Sequence, residues 1–172
     1  FNFKSMKILV CISKTPDTTA KIAFKNDGRD FQADGIQFIM NPYDEWYALV
    51  RALELKEEKG GSVTVIHCGP LANEVTIRKA LAIGADDAIR VDMEPDSAYA
   101  VAQQIAAHAT TAGYDIIFTG KETIDYNGSL VAGMVAGLLN LPFISHASKM
   151  VFSGDKAIVT RDIEGGTEEI EV

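Results

Sequence analysis

The chain has 172 residues, 47% of them hydrophobic and 23% charged, and a net charge of −8 at pH 7; its isoelectric point is about 4.8. That is the make-up of one globular domain with a real core. So acidic a chain lacks the basic face that a nucleic-acid partner requires, and no apolar run is long enough for membrane insertion.

Phe1 to Ser5 precede Met6 and read as an upstream remnant, with residues 6–172 as a single domain; no targeting segment is visible. Residues 7–13, KILVCIS, form a nearly continuous apolar run and predict a central parallel strand buried on both faces. Pro16 breaks the run. Residues 21–24 and 35–38 are short strand-like pieces, and the Asn26-Asp27-Gly28 turn pairs them as a hairpin or flap. Next, Asn41 reads as a helix N-cap and Pro42 as the first helical position, with Asp44 and Glu45 in the first turn. Helix capping alone explains every residue of this NPYDE segment except Tyr43. Trp46, Leu49, Val50 and Leu53 give the helix its apolar face, and Gly60-Gly61 ends it.

Residues 62–68, SVTVIHC, are the next strand, and His67 reads as a strand-end histidine without chemistry. Gly69-Pro70 turns the chain into a helix over 71–83, closed by Gly84. A strand over 87–91 follows. Pro95-Asp96-Ser97 then opens a helix whose face is Ala98, Val101, Ala102, Ile105, Ala106 and Ala109, ended by Gly113. Residues 115–118 are a buried strand leading into TGKETIDYNGSLV, residues 119–131. After it comes a helix with Val131, Met134, Val135 and Leu138 on one face and a stripe of small residues, Ser129, Ala132, Gly133 and Ala136, on another; Pro142 stops it. Strands over 145–152, 156–163 and 168–172 make a meander, with turns at Ser153-Gly154-Asp155 and Glu164-Gly165-Gly166. The pattern ends mid-alternation at Val172, which predicts either a truncation or a longer protein whose remainder is missing. The alternation before Pro142 predicts a mainly parallel sheet with right-handed crossovers in a three-layer α/β sandwich, followed by the meander.

In such a sheet, ligands bind outside the carboxyl ends of the strands, where the strand order reverses. The loops at those ends are residues 14–18, Gly69-Pro70 and residues 120–128, joined by residues 41–44. Gly120 and Gly128 allow close backbone approach, and the following helix start presents unpaired N–H groups, so a phosphate cradle is one reading of the loop; an ordinary turn is the other. It is neither a G-x-x-x-x-G-K-[ST] loop nor G-x-G-x-x-G. Cys11 and Cys68 lack metal-ligand spacing and read as buried, reduced thiols in a cytosolic setting. No Ser/His/Asp set, catalytic carboxylate pair or metal cluster is visible, so the chain offers a nucleotide-sized crevice with no evident reactive group.

Six motifs in order resemble the β subunit of the electron-transfer flavoprotein family: KILVCISKTPDT at 7–18, NPYDE at 41–45, VTVIHCGP at 63–70, RKALAIGAD at 78–86, GKxxID at 120–125 and DIEGGxE at 162–168. The resemblance implies an adenine-nucleotide-binding, flavodoxin-like (HUP-type) fold. It implies a bacterial-type cytoplasmic heterodimer with an α subunit that holds most of the FAD, and a structural AMP in this chain. On that resemblance the chain is an electron-carrier subunit without catalytic residues of its own, not an enzyme, and electrons would pass from flavin dehydrogenases, such as acyl-CoA dehydrogenases, to a membrane quinone oxidoreductase. Carried over, the AMP pocket comprises Cys11, Asn41, Pro42, Tyr43, Asp44, Cys68, Gly120, Lys121, Glu122, Thr123, Ile124, Asp125, Tyr126, Asn127, Gly128, Ser129, Leu130 and Val131. The loop departs from the family at Glu122 and Thr123, where Gln-Ala is common, and at Leu130, Val131 and Ala132, where Gln, Thr or Val, and Gly are common. Leu130 cannot donate to a phosphate; Asn127, Ser129 and the backbone amides can. Two further readings share the sandwich: a universal-stress-type ATP-binding regulator and a nucleotide α-hydrolase relative.

Overall fold

The computed structural model describes residues 5–154 and 156–172; residues 1–4 of the upstream stretch and Asp155 of the first meander turn lie outside the described residues. In chain order the strands and helices are β1 (Met6–Cys11), β2 (Lys14–Pro16), β3 (Phe24–Lys25), β4 (Asp30–Phe31), β5 (Phe38–Met40), α1 (Asp44–Lys59), β6 (Gly61–Cys68), α2 (Glu74–Ile83), β7 (Asp87–Val91), α3 (Ala98–Ala112), β8 (Ile116–Phe118), α4 (Val131–Leu139), β9 (Ala147–Ser153), β10 (Lys156–Ile163) and β11 (Gly166–Glu171). A single 3₁₀ turn, Leu71–Asn73, leads into α2.

Four strands form the central parallel sheet in the order β7-β6-β1-β8. Alternation along β1 and β6 sends side chains to both faces, which is why these strands read as continuous apolar runs. Ile8, Val10, Ile12, Val63 and Val65 pack with Ala48, Leu49, Ala52 and Leu55 of α1 and Ile77 and Ala80 of α2. On the other face, Leu9, Cys11, Ile66 and Cys68 pack with Ala102, Ile105 and Ala109 of α3 and Val135 of α4. The result is a three-layer α/β sandwich. β9, β10 and β11 form the antiparallel meander beside it, and Met150 and Phe152 of β9 pack on the α1 side of the core.

Four local expectations are corrected. The turn at Asn26, Asp27 and Gly28 takes left-handed φ values of 52°, 55° and 81°. It closes a tighter hairpin, pairing Phe24 with Phe31 and Lys25 with Asp30, held by edge-to-face rings 6.4 Å apart. Phe38–Met40 pairs instead with Lys14–Pro16; Pro16 ends a two-stranded ribbon, where a missing donor is tolerated. Third, α1 turns toward the core with Glu45, Ala48, Leu49, Ala52 and Leu55, while Trp46 stays 40% exposed: small alanines allow close packing where the indole would not fit. Finally, α4 starts after Ser129 and ends at Asn140, which takes the left-handed φ of 53°, before Pro142 is reached. Of its expected face only Val135 is buried, and Leu138 is exposed.

Candidate functional site

β1, β6 and β7 run outward in one direction from β1, while β8 lies on its other side, so the strand order reverses between β1 and β8. The chain leaves β1 at Ser13 and β8 at Gly120, and α1 begins between them. Asn41 governs how these pieces meet. It is fully buried, and its amide N–H donates to the Ser13 carbonyl at 2.9 Å. Its side-chain Nδ2 donates to the Glu122 carbonyl at 3.0 Å, and its Oδ1 accepts from the Ile124 amide at 3.0 Å. Asn41 is therefore not the expected N-cap: its side chain is committed to two partly buried backbone groups of another loop instead of to the helix that follows it. Tyr43 takes the cap position with φ 61° and no side-chain cap bond, and Pro42 lies outside the helix.

Glu45 is the residue the sequence reading missed. Its carboxylate accepts from the Ser13 amide at 2.6 Å and from the Ser13 hydroxyl, and the residue is only 7% exposed. Burial pushes its pKa up to about 7 against the Ser13 hydrogen bonds, with the charges of Asp125 and Asp44 adding to the rise. The first-turn position suggested a solvated acid near a helix dipole; nothing local in the sequence announces that Gly120 closes over it. A Cβ on Gly120 would stand 2.7 Å from Glu45 Cγ, 3.0 Å from its backbone N and 3.1 Å from Asp44 Cβ. Glycine is thus required at 120 by helix packing. At Gly128, by contrast, a Cβ meets nothing within 4 Å, and the left-handed positions are its neighbours Asn127 (φ 49°) and Ser129 (φ 51°).

The rest of the loop is bound to itself. Glu122 pairs with Lys121 at 3.0 Å and accepts from the Ser129 hydroxyl at 2.9 Å; Lys121 first and Ser129 second hold its carboxyl below the usual range. The Asn127 amide donates to the Thr123 carbonyl at 2.9 Å. Tyr126 is 86% exposed and Leu130 is exposed. Leu130 caps α4 without a side-chain hydrogen bond, leaving the first-turn amides as unpaired donors of the helix start.

Cys11, Cys68 and Val131 come together in the α3–α4 layer. Burial raises the Cys11 thiol well above its usual range, with Glu45 and Cys68 adding to it, and pushes Cys68 up to about 11; both stay protonated and unreactive at neutral pH. His67 is buried, its Nδ1 3.0 Å from the Ile12 carbonyl and its Nε2 3.0 Å from Asn73 Nδ2. Burial lowers its pKa. Pro42 and Tyr43 diverge from the loop. They line a cavity of about 640 Å³ on the α1–α2 side, with Phe38, Trp46, Tyr47 and Lys79 among its walls. Among the described residues, no group of three or more His, Cys, Asp or Glu is placed to hold a metal ion, and no helix is long and apolar enough to cross a membrane.

Sheet order and helical layers define an open, mainly parallel α/β sandwich, with the loops after β1 and β8 gathered at its topological switch point. The electron transfer flavoprotein domain matches residues 30–172, and the chain belongs to that family. It is 35% identical over 169 residues to electron transfer flavoprotein subunit beta of Bacillus subtilis, covering 96% of this chain and 65% of that protein. To the human subunit beta it is 36% identical over 171 residues, covering 96% and 67%. The acryloyl-CoA reductase electron transfer subunit gamma of Anaerotignum propionicum is 34% identical over 173 residues, with 97% and 64% covered. The chain thus spans about two thirds of the length of these curated relatives.

Proposed function

We propose that this chain is the β-type subunit of an electron transfer flavoprotein and holds AMP as a structural ligand in the crevice between β1 and β8. It pairs with an FAD-carrying α subunit in the cytoplasm. It serves there as a carrier, without catalytic residues of its own, between flavin dehydrogenases such as acyl-CoA dehydrogenases and a quinone oxidoreductase. The observation that supports the AMP reading is the pinning of residues 122–124 by Asn41 beside the switch point. This positions the uncapped start of α4, whose unpaired amides and dipole suit a phosphate. The open space at Gly128 admits the ligand. Ser129 is engaged by Glu122, and the Asn127 side chain bonds the same carboxylate, so the backbone amides at the α4 start are the donors that fit the phosphate, while the segments around Cys11 and Cys68 face the rest of the nucleotide.

Acid extraction of the purified full-length protein, followed by reversed-phase chromatography, releases AMP in a one-to-one amount. A Cβ at 128 meets no atom of the chain within 4 Å, so Gly128→Val is expected to retain the fold and lose the nucleotide. Coexpression with the α subunit yields a yellow one-to-one complex, and this chain alone is colourless. An extract free of adenine nucleotide, with a melting temperature indifferent to added AMP, overturns the ligand assignment. A stable monomer that ignores the α subunit overturns the carrier reading in favour of a stress-type regulator.

A further inference from the structure

We propose that Glu45 is a positioning residue for the anionic ligand of the crevice, holding the segment after β1 against the glycine loop and taking up a proton as that ligand binds. The inference rests on the nucleotide reading given above. Three segments of the chain meet at this one carboxyl group. Ser13, leaving β1, donates to it from both its amide and its hydroxyl. Glu45 itself begins α1, and Gly120, leaving β8, lies against its side chain too closely to admit a Cβ.

The charged groups acting on Glu45 are both anionic: Asp125 from the loop and Asp44 from its own helix. Cys11, behind it on β1, is a protonated thiol. The lysines that follow Ser13 and Gly120 in the sequence are engaged by other groups. Lys14 donates to Asn73 at 2.8 Å and lies over the Phe38 ring, and Lys121 pairs with Glu122. Ionised Glu45 therefore adds a third negative charge on the side of the loop that faces α1, unfavourable both to the loop's seat and to an incoming phosphate. Protonated Glu45 still accepts from the Ser13 amide and can donate to the hydroxyl oxygen, so the clamp survives neutralisation. Because coupling is reciprocal, a ligand that favours the protonated form raises the proton affinity of Glu45 and itself binds more tightly as the pH falls.

The test is calorimetric titration of the nucleotide-stripped full-length protein, in its complex where one copurifies, with AMP between pH 6.5 and 9. Two buffers of different ionisation enthalpy count the protons taken up. The expected result is affinity about tenfold tighter at the acidic end, the effect of a one-unit rise in the Glu45 pKa. Glu45→Gln keeps AMP binding, flattens the profile and loses the extra proton. Ser13→Ala removes a hydrogen bond that favours the ionised form, so it retains the profile with its midpoint moved to higher pH. AMP binding with the same pH profile and proton count in the wild type, E45Q and S13A overturns the role of Glu45 and leaves the nucleotide site standing. No binding of AMP by the wild type at any pH overturns both.

Discussion

Glu45 is buried with a pKa of about 7, and this fixes the sign of its effect on stability. The native protein keeps the proton from the ordinary carboxylate range up to about pH 7, whereas the unfolded chain has already released it. Stability from this group therefore falls as pH rises through that window and stays flat above it, a loss on the order of 3 kcal/mol. His67 acts in the opposite sense. Its pKa is lowered by burial, so its contribution is lost as pH falls below the usual histidine range. Urea unfolding of the wild type and E45Q at pH 5.5 and 8 separates the two: E45Q gains stability relative to the wild type at pH 8 and much less at pH 5.5. Gly120→Ala is a steric test at the same place. The added Cβ meets Glu45 backbone N at 3.0 Å, which a side-chain rotation cannot relieve, and the expected cost is about 1–3 kcal/mol in urea unfolding.

At the scale of elements, the start of α1 and the loop after β8 form one unit because Asn41 closes two hydrogen bonds across it. Asn41→Ala leaves the Glu122 carbonyl and Ile124 amide without that partner, and a loss of about 1–3 kcal/mol is expected for two partly buried bonds. Hydrogen exchange reads it locally: the Ile124 amide exchanges faster while α3 is unchanged. The same residue marks the limit of legibility. Order and type of the main strands and helices follow from local patterns, as at Ser97, which accepts from the Ala100 amide, and at Gly113, with its left-handed φ of 66°. Capping rules placed Asn41 on the helix that follows it, because they weigh only neighbours in sequence. Its partners lie 81 and 83 residues away. Trp46 and Glu45 exchanged their expected places for a similar reason: which face of α1 turns inward is decided by the room beneath the Gly120 loop, not by the hydrophobicity of α1 alone. The loop itself was legible as a glycine-bearing strand-to-helix connection, but not which glycine is sterically required.

For the whole molecule, the two faces of the sheet have different surfaces. The α1–α2 side carries the cavity of about 640 Å³, with Tyr43, Trp46 and Tyr47 at its walls and all three substantially exposed. On the opposite side α4 is apolar along its length with only Val135 buried. The central position of β1 has a consequence in time. Lys7 bonds through its amide to the Asp115 carboxylate at 2.8 Å, and its carbonyl accepts from the Asp115 amide at 2.9 Å, a contact spanning 108 residues. The partner on its other side, β6, begins at Gly61. On the ribosome, β1 can pair on one edge once β6 has emerged, but the other edge stays open until β8 has been made and its long loop closed, which is the slow kind of pairing. Pulse-labelled exchange during refolding should show amides of the β1–β6 pair protected before those of β8. The interval between the two is when this chain exposes the unpaired backbone edge of a largely apolar strand, and so when it is most prone to self-association.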